Sequence, residues 1–440
     1  MEKMKQTILL VNPPIYDFAA YDFWLKPLGM LTTAGHCKPF AHIDLFDYLD
    51  RLSPDMPPPK RPPKNRFRKG PFHAQHIPRP PEFAHIPRYF RRFGIPRRVF
   101  QDYLRSRPQY DFVLIQTTMT YWYPGLKEVI EDVRTLQPRA TIVLGGFYAT
   151  LLPDHARSLG ADLIIEADNH KPLYDKLLAT PADYHPPYWQ AYPNLRTAAM
   201  TLTTGCPYKC TYCAIGQMNL PFAHRPIDHC IQDLQLLLSK GVTDIAFYDD
   251  ALLYKPEKIL KPFLEYVIGN IPQGKINFHT PNAMHARYIT PEIAQLMVRA
   301  GFRTFYLGFE SASPTFQQNT GSKVVSADLA AAVTHLKNAG ADAQTITAYE
   351  LIGHPNTDLQ HLESSIRFAN SLGIKVMLSD FSPIPNTPDG QLCSEYIDLS
   401  EPLNHNKTAF PITLLGHDKV SYYKNLCKSL NRSLPAPRSA

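Results

Sequence analysis

From Thr197 onward the chain alternates short apolar runs with amphipathic segments at helical spacing, and it does so six times. The strand-like runs are 198–202, 244–248, 276–279, 304–309, 343–351 and 375–381. Between them lie helical patterns at 228–239, 257–268, 291–300, 327–338 and 359–371. Three of these close on glycine, in SKG at 239–241, RAG at 299–301 and NAG at 338–340, the residue that ends helices in a left-handed turn. Strands that alternate with helices favour parallel pairing through crossovers, so the pattern predicts a partial (β/α)6 barrel. Chemistry in such a barrel belongs to the loops at the carboxyl ends of the strands.

The first part of the chain reads as a second α/β unit. Apolar runs at 7–11, 43–46, 112–116 and 142–144 predict buried strands, and 126–136 carries helical spacing after Pro124-Gly125. That predicts a doubly wound, Rossmann-like parallel sheet ahead of the barrel. The expected boundaries are 1–185 for this domain, 190–390 for the barrel and 391–440 for a C-terminal cap and tail. The segment 53–109 interrupts the first domain with 13 of the chain's 42 prolines, and it holds 14 Lys/Arg against 3 Asp/Glu. The net charge of +7 therefore resides wholly in this insertion. It predicts an extended arm that turns helical near 97–104, and its bland reading is a solvated loop.

A chain of 440 residues is too long for one ordinary core. With 44% hydrophobic and 19% charged residues it is globular in composition. No apolar stretch is long enough for a membrane span, and the first residues run into a strand pattern rather than a cleavable leader. The expected location is cytoplasmic. Seven cysteines, three of them within eight positions, fit metal binding in a reducing compartment better than a disulfide framework.

Those three stand in TTGCPYKCTYCAIG, as Cys206-x3-Cys210-x2-Cys213, directly after the first barrel strand. Three thiolates from one tight loop leave one iron of a cubane cluster without a protein ligand, open to a substrate or cofactor. The competing reading is structural zinc or a closed ferredoxin-type cluster. Zinc would need a fourth ligand such as Cys230 or a nearby histidine, because no second C-x2-4-C pair is present. Cys37, Cys230, Cys393 and Cys427 are scattered singly and read as ordinary buried thiols.

The motif CPYKCTYC resembles the signature of the radical S-adenosylmethionine (SAM) superfamily. The resemblance implies a [4Fe–4S] cluster on Cys206, Cys210 and Cys213 whose open iron chelates SAM, with reductive cleavage giving a 5′-deoxyadenosyl radical. It implies that Tyr212 lies against the adenine. FYDDALL at 247–253 resembles the segment that holds the SAM amino group, through Asp249 and Asp250. LGFESAS at 307–313 is similar to the segment whose acid, here Glu310, faces the SAM ribose or amino group. ELIGHP at 350–355 matches the segment around a glycine, here Gly353, that admits the adenine, and FSPIPNTP at 381–388 resembles the sixth-strand segment. Lys323 stands where related proteins carry a basic residue near the SAM carboxylate. Read without the resemblance, paired Asp residues are a helix cap and a lone Glu is a surface residue.

The first domain resembles the cobalamin-binding domain that precedes the barrel in a large subgroup, through ILLVNPP, DFVLIQTTMTYWYPG, IVLGGFYATLLP and ADLIIEAD. That resemblance implies cobalamin near Thr117, Thr118, Gly145, Gly146 and Glu166. The chain departs from the subgroup where EADNHKPLYD replaces a G-E-G-E type turn, and it lacks a D-x-H-x-x-G segment, so no histidine is expected on cobalt.

Together these imply a radical SAM enzyme, a cobalamin-dependent methyltransferase acting on an unactivated carbon. A cobalamin-independent rearrangement, cyclisation or sulfur insertion is the alternative within the class. A non-catalytic Fe–S or zinc protein is the alternative outside it. The enzyme readings require an external electron donor of flavodoxin or ferredoxin type. The basic insertion predicts contact with an anionic small molecule or nucleic acid, with Phe67, Phe72, Tyr89, Phe90 and Phe93 available to stack on bases.

Overall fold

A computed structural model describes residues 5–58, 67–321 and 324–435. Two compact units divide the chain. The first comprises Met1–Ala84, Arg88–Arg196 and Gln235–Gly241, and the second His85–Pro87, Thr197–Leu234 and Val242–Ala440.

In the first unit, β1 (Gln6–Asn12), β2 (Ala41–Asp47), β3 (Phe112–Thr117), β4 (Thr141–Gly146) and β5 (Leu163–Ile165) form a parallel sheet in the order β5-β4-β3-β1-β2. Helix α1 (Leu28–Cys37) connects β1 to β2, α2 (Arg97–Arg105) precedes β3, and α3 (Tyr123–Leu136) connects β3 to β4. Leu9 and Val11 join α2 and α3 in one core. Ile8 and Leu10, pointing to the opposite face, are equally inaccessible, so the strands are apolar throughout because both faces are covered. The strand order reverses between β1 and β3, whose onward connections leave in opposite directions, and a crevice opens there at their carboxyl ends.

The basic insertion is built into this unit. Arg91–Phe93 pairs antiparallel with Ile15–Asp17 and with Ala74–His76. Phe72 and Phe93 pack with Ile15 and Leu49, while Phe83 and Phe90 pack on Phe18 at 5.0 and 5.2 Å. Arg92 forms a buried two-pronged pair with Glu128 of α3 at 2.7 and 2.8 Å, and the more exposed Arg97 makes a two-pronged pair with Asp132 at 2.9 Å. Part of the positive charge is thus neutralised within the chain, where it docks the insertion on an acidic helix. The expectation of base-stacking aromatics is corrected for Phe72, Phe90 and Phe93, which are core residues. Tyr89 is 70% exposed, with its ring stacked on His76 at 4.6 Å. The expected helix is present as α2; residues 59–66 lie outside the described residues.

In the second unit, β6 (Thr197–Met200), β7 (Asp244–Phe247), β8 (Asn277–His285), β9 (Phe302–Glu310), β10 (Ile346–Ile352) and β11 (Lys375–Asp380) run parallel, each beside the next in chain order. Helices α4 (Ile227–Ser239), α5 (Leu260–Asn270), α6 (Pro291–Ala300), α7 (Ser326–Asn338) and α8 (Leu359–Ser371) intervene. Phe247, Phe278 and Phe302 on three adjacent strands stack with centroids 5.3 to 5.5 Å apart, with Phe263 of α5 on Phe247 at 5.9 Å. The fifth strand begins later than the apolar pattern indicates, because Asp342 accepts the Gln344 N–H at 2.9 Å and turns residues 343–345 into a 3-10 helix. The edge strand β11 is covered by α9 (His417–Ser433). Asn431 gives and takes a backbone hydrogen bond with Val376, at 2.8 and 2.9 Å, in place of a seventh strand. Among the described residues no helix is long and apolar enough to cross a membrane.

Candidate functional site

The cysteine loop leaves the carboxyl end of β6. Gly205 turns it: at φ +62°, a Cβ there would lie 2.4 Å from the Leu220 carbonyl oxygen and 2.7 Å from that of Pro221. Only glycine fits a backbone position so conformed and so crowded. Cys206, Cys210 and Cys213 are partly accessible, whereas Cys37, Cys230, Cys393 and Cys427 are buried, which separates the motif thiols from the structural ones. Cys213 N–H bonds the Cys210 carbonyl at 3.1 Å, closing a turn around Thr211 and Tyr212.

Burial pushes the Cys213 thiol up to about 11, and the nearby Cys210, Asp250 and Cys206 add to the shift. Three thiols and a carboxylate this close repel one another as anions, and a bound cationic iron centre relieves that repulsion. The donor set therefore fits an iron–sulfur cluster. Among the described residues no three His, Cys, Asp or Glu side chains converge on a point that would hold a single metal ion.

The structure separates the two aspartates that the sequence places together. Asp249 is buried, and its Oδ1 accepts from Leu202 N–H at 2.9 Å, Thr203 N–H at 2.6 Å and the Thr203 hydroxyl at 2.6 Å. It clips the exit of β6 just before the cysteines, while Oδ2 has no hydrogen-bond partner among the described residues. Burial pushes this carboxyl up to about 6 despite those bonds. Asp250 is exposed, its carbonyl oxygen 4.0 Å from Cys206 Sγ, and with Tyr208, Asn282 and His285 it lines a shallow pocket of 370 Å³, its open mouth included, at the ends of β7 and β8. Tyr208 donates to the Tyr288 hydroxyl at 2.6 Å, and its ring lies 4.9 Å from that of His285.

Glu310 ends β9 in the left-handed region, at φ +69°, beyond a register shift, a conformation that side chains seldom adopt. It lies beside Tyr212, whose phenol is pushed well above its usual value by burial and then by Glu310 and Cys210. The Tyr212 ring packs against the cluster of Phe381, Cys393 and Phe410. At Gly353, φ +84°, a Cβ would sit 2.4 Å from the Pro411 side chain. Lys323 lies outside the described residues.

In the first unit, the crevice between β1 and β3 holds a 410 Å³ pocket, its open mouth included, lined by Asn12, Lys26, Gln116, Thr118, Met119 and Trp122 among others. Lys26 is buried, 3.7 Å from Asp50 and 4.5 Å above the Tyr192 ring. Of the five residues expected near cobalamin, Thr118 lines this pocket. Thr117 is turned inward to accept Ala149 N–H at 3.1 Å. Gly146, at φ +114°, makes room for the Thr117 carbonyl, which a Cβ would approach to 2.2 Å. Gly145 faces Ile165, and Glu166 pairs with Arg157 at 2.8 Å on the surface. Pattern reading missed Lys26 and Met119; a buried lysine leaves no period in the sequence.

Residues 200–369 match the family model of the radical SAM superfamily. The threonylcarbamoyladenosine tRNA methylthiotransferase MtaB of Thermotoga maritima is 20% identical over 283 residues, 61% of this chain and 65% of that protein. The ribosomal protein uS12 methylthiotransferase RimO of Phocaeicola vulgatus is 33% identical over 81 residues, 17% of this chain and 18% of its own. The chain thus spans less than two thirds of either relative's length. Among solved structures, the methyltransferase TsrM of Kitasatospora setae with cobalamin and a [4Fe–4S] cluster superposes with a TM-score of 0.65 at 14% identity, covering 99% of this chain and 92% of that one. The cobalamin-dependent enzyme OxsB, with aqua-cobalamin and SAM bound, gives 0.56 at 12% identity, covering 97% of this chain and 61% of its own. These two share the fold of both units in sequence order.

Proposed function

We propose that this chain, which carries a radical SAM domain over residues 200–369, is a cobalamin-dependent radical SAM methyltransferase acting on an unactivated carbon. The observation that carries the reading is the pairing of two sites in one chain. Accessible thiols stand at the carboxyl end of a barrel strand, and a pocket stands at the switch point of a flavodoxin-like sheet.

In this reading Cys206, Cys210 and Cys213 would hold a [4Fe–4S] cluster, which, served by a flavodoxin- or ferredoxin-type donor, would supply the one-electron chemistry for reductive SAM cleavage. Asp249 fixes the strand exit before the first thiol. Asp250 faces the SAM amino group from the rim of its pocket, Glu310 meets the ribose or amino group, and Tyr212 lines the adenine side. The domain at 1–185 would take cobalamin at the β1/β3 crevice, where Thr118, Met119, Trp122 and Lys26 line the pocket that would hold it. Cobalamin supplies the methyl carrier.

The test is anaerobic reconstitution with iron and sulfide, with and without hydroxocobalamin, followed by reduction and addition of SAM. The expected result is 5′-deoxyadenosine that disappears in Cys206→Ala, together with a cobalamin spectrum that survives desalting. Deoxyadenosine without retained cobalamin would redirect the reading to cobalamin-independent rearrangement or cyclisation. A fully loaded cluster that leaves SAM intact would sink it.

A further inference from the structure

Asp249 holds the entry of the cysteine loop, and a separate assembly holds its middle. Thr211 lies in the turn between Cys210 and Cys213, and its hydroxyl donates to Asp389 Oδ2 at 2.7 Å. The Asp389 N–H donates back to the Thr211 carbonyl at 3.2 Å. Asp389 sits in the short helix Pro388–Gln391, which Thr387 caps by accepting the Gly390 N–H at 3.0 Å. The same carboxylate oxygen faces His354, with Nε2 3.0 Å from Oδ2, a bent electrostatic contact rather than a linear hydrogen bond. His354 Nδ1 accepts the Asn356 N–H at 3.1 Å, which places the ring proton on Nε2, toward the carboxylate. Phe316 and Phe381 stand edge-on to the imidazole at 5.1 and 4.9 Å and fix its plane.

Both His354 and Asp389 are buried, at 1% and 7% exposure. Burial pushes the Asp389 carboxyl up, but its contacts with His354 and Thr211 more than offset this and hold it below the usual range. The assembly grips Thr211 by hydroxyl and carbonyl at once. Because Thr211 is the second residue of a four-residue turn opened by the Cys210 carbonyl and closed by Cys213 N–H, fixing it fixes the residues on either side.

The geometry points to His354 and Asp389 as positioning residues for the cysteine loop, acting through Thr211 to hold Cys210, Tyr212 and Cys213 in one mutual orientation. The inference rests on the cluster-binding reading of that loop. No ligand need touch either residue for it to hold.

The experiment compares full-length wild type with Thr211→Val, which deletes the hydroxyl at nearly constant volume, and Thr211→Ser, which keeps it. Amide hydrogen exchange across 210–213 is measured in the cluster-free chain, and electron paramagnetic resonance of the reduced cluster is recorded with and without SAM. Thr211→Val is expected to exchange roughly tenfold faster at Tyr212 and Cys213, the effect of losing one hydrogen bond to a charged acceptor. Its loaded cluster is expected to show an altered spectral response to SAM, and Thr211→Ser to behave as wild type in both. Equal exchange in wild type and Thr211→Val would overturn the inference. So would faster exchange with an unchanged response to SAM, which would make the grip structural only. A wild type that takes up no cluster would overturn both the loop reading and the inference, whereas a loaded wild type beside an indifferent Thr211→Val overturns the inference alone.

Discussion

The barrel carries two assemblies of histidine, aspartate and threonine, one at each end, made of the same residue types and used differently. At the amino-terminal end His279 Nε2 lies 3.1 Å from Asp244 Oδ1, and Nδ1 lies 3.0 Å from Thr304 Oγ1. The three residues sit in β7, β8 and β9, with Thr243 and Asn277 also donating to Asp244. This is a cross-brace between adjacent strands, and its failure would be felt by the whole sheet. At the other end, His354, Asp389 and Thr211 come from the segments that follow three different strands and meet only because the barrel brings those segments together. Position relative to the strands, rather than chemistry, decides which assembly serves stability and which serves the site.

The largest effect that tests this contrast belongs to the lower brace. His279→Leu leaves the buried Asp244 without its main partner and is expected to cost about 3–5 kcal/mol, read as a lowered urea midpoint with the slope unchanged. Next comes an acid that has no such partner. Glu350 on β10 is inaccessible, neither of its oxygens is bonded among the described residues, and burial followed by Glu310 holds it well above its ordinary 4.5. A carboxyl raised in the folded state favours folding only while protonated, so the wild type loses stability as pH rises past about 4.5. Glu350→Leu should remove that slope and stabilise the chain at pH 8 by about 1–3 kcal/mol, measured as urea midpoints across pH.

Asp244 and Asp389 have the opposite sign. Both are buried, yet their polar contacts, with His279 and with His354 and Thr211 respectively, hold them below the ordinary 3.8. Their stabilisation is present above that value and is lost as pH falls through the lowered one. Asp389→Asn should flatten the acid limb of the stability profile by about 1 kcal/mol while leaving the limb due to Asp244 in place. The smallest expected change in global stability, under about 1 kcal/mol, is that of Thr211→Val. If that substitution lowers the melting midpoint as much as His279→Leu, the contrast between the two ends collapses.

The course of the barrel strands was legible in the sequence because a strand buried on both faces is a continuous apolar run and a helix between strands has its own period. The thiol loop was legible because three cysteines close together on one loop leave a fixed spacing. Asp249 and Asp250 look alike as neighbours in the chain, yet one turns inward to clip β6 and the other faces a pocket. Gly353 reads as a place for a ligand, and the sequence gives no sign that a Cβ there would meet Pro411. The insertion reads as a solvated or nucleic-acid-binding arm, because composition records how many arginines it has and not that Arg92 and Arg97 meet Glu128 and Asp132.

The sequence by itself determined the parallel α/β architecture and the thiol loop, since both arise from local patterns of period and spacing. Tertiary structure alone decided the partners of Thr211, the burial of Glu350 and the lysine in the switch-point pocket. Such contacts join residues far apart in the chain, here 178 positions in the case of Thr211 and Asp389, and no local period encodes them.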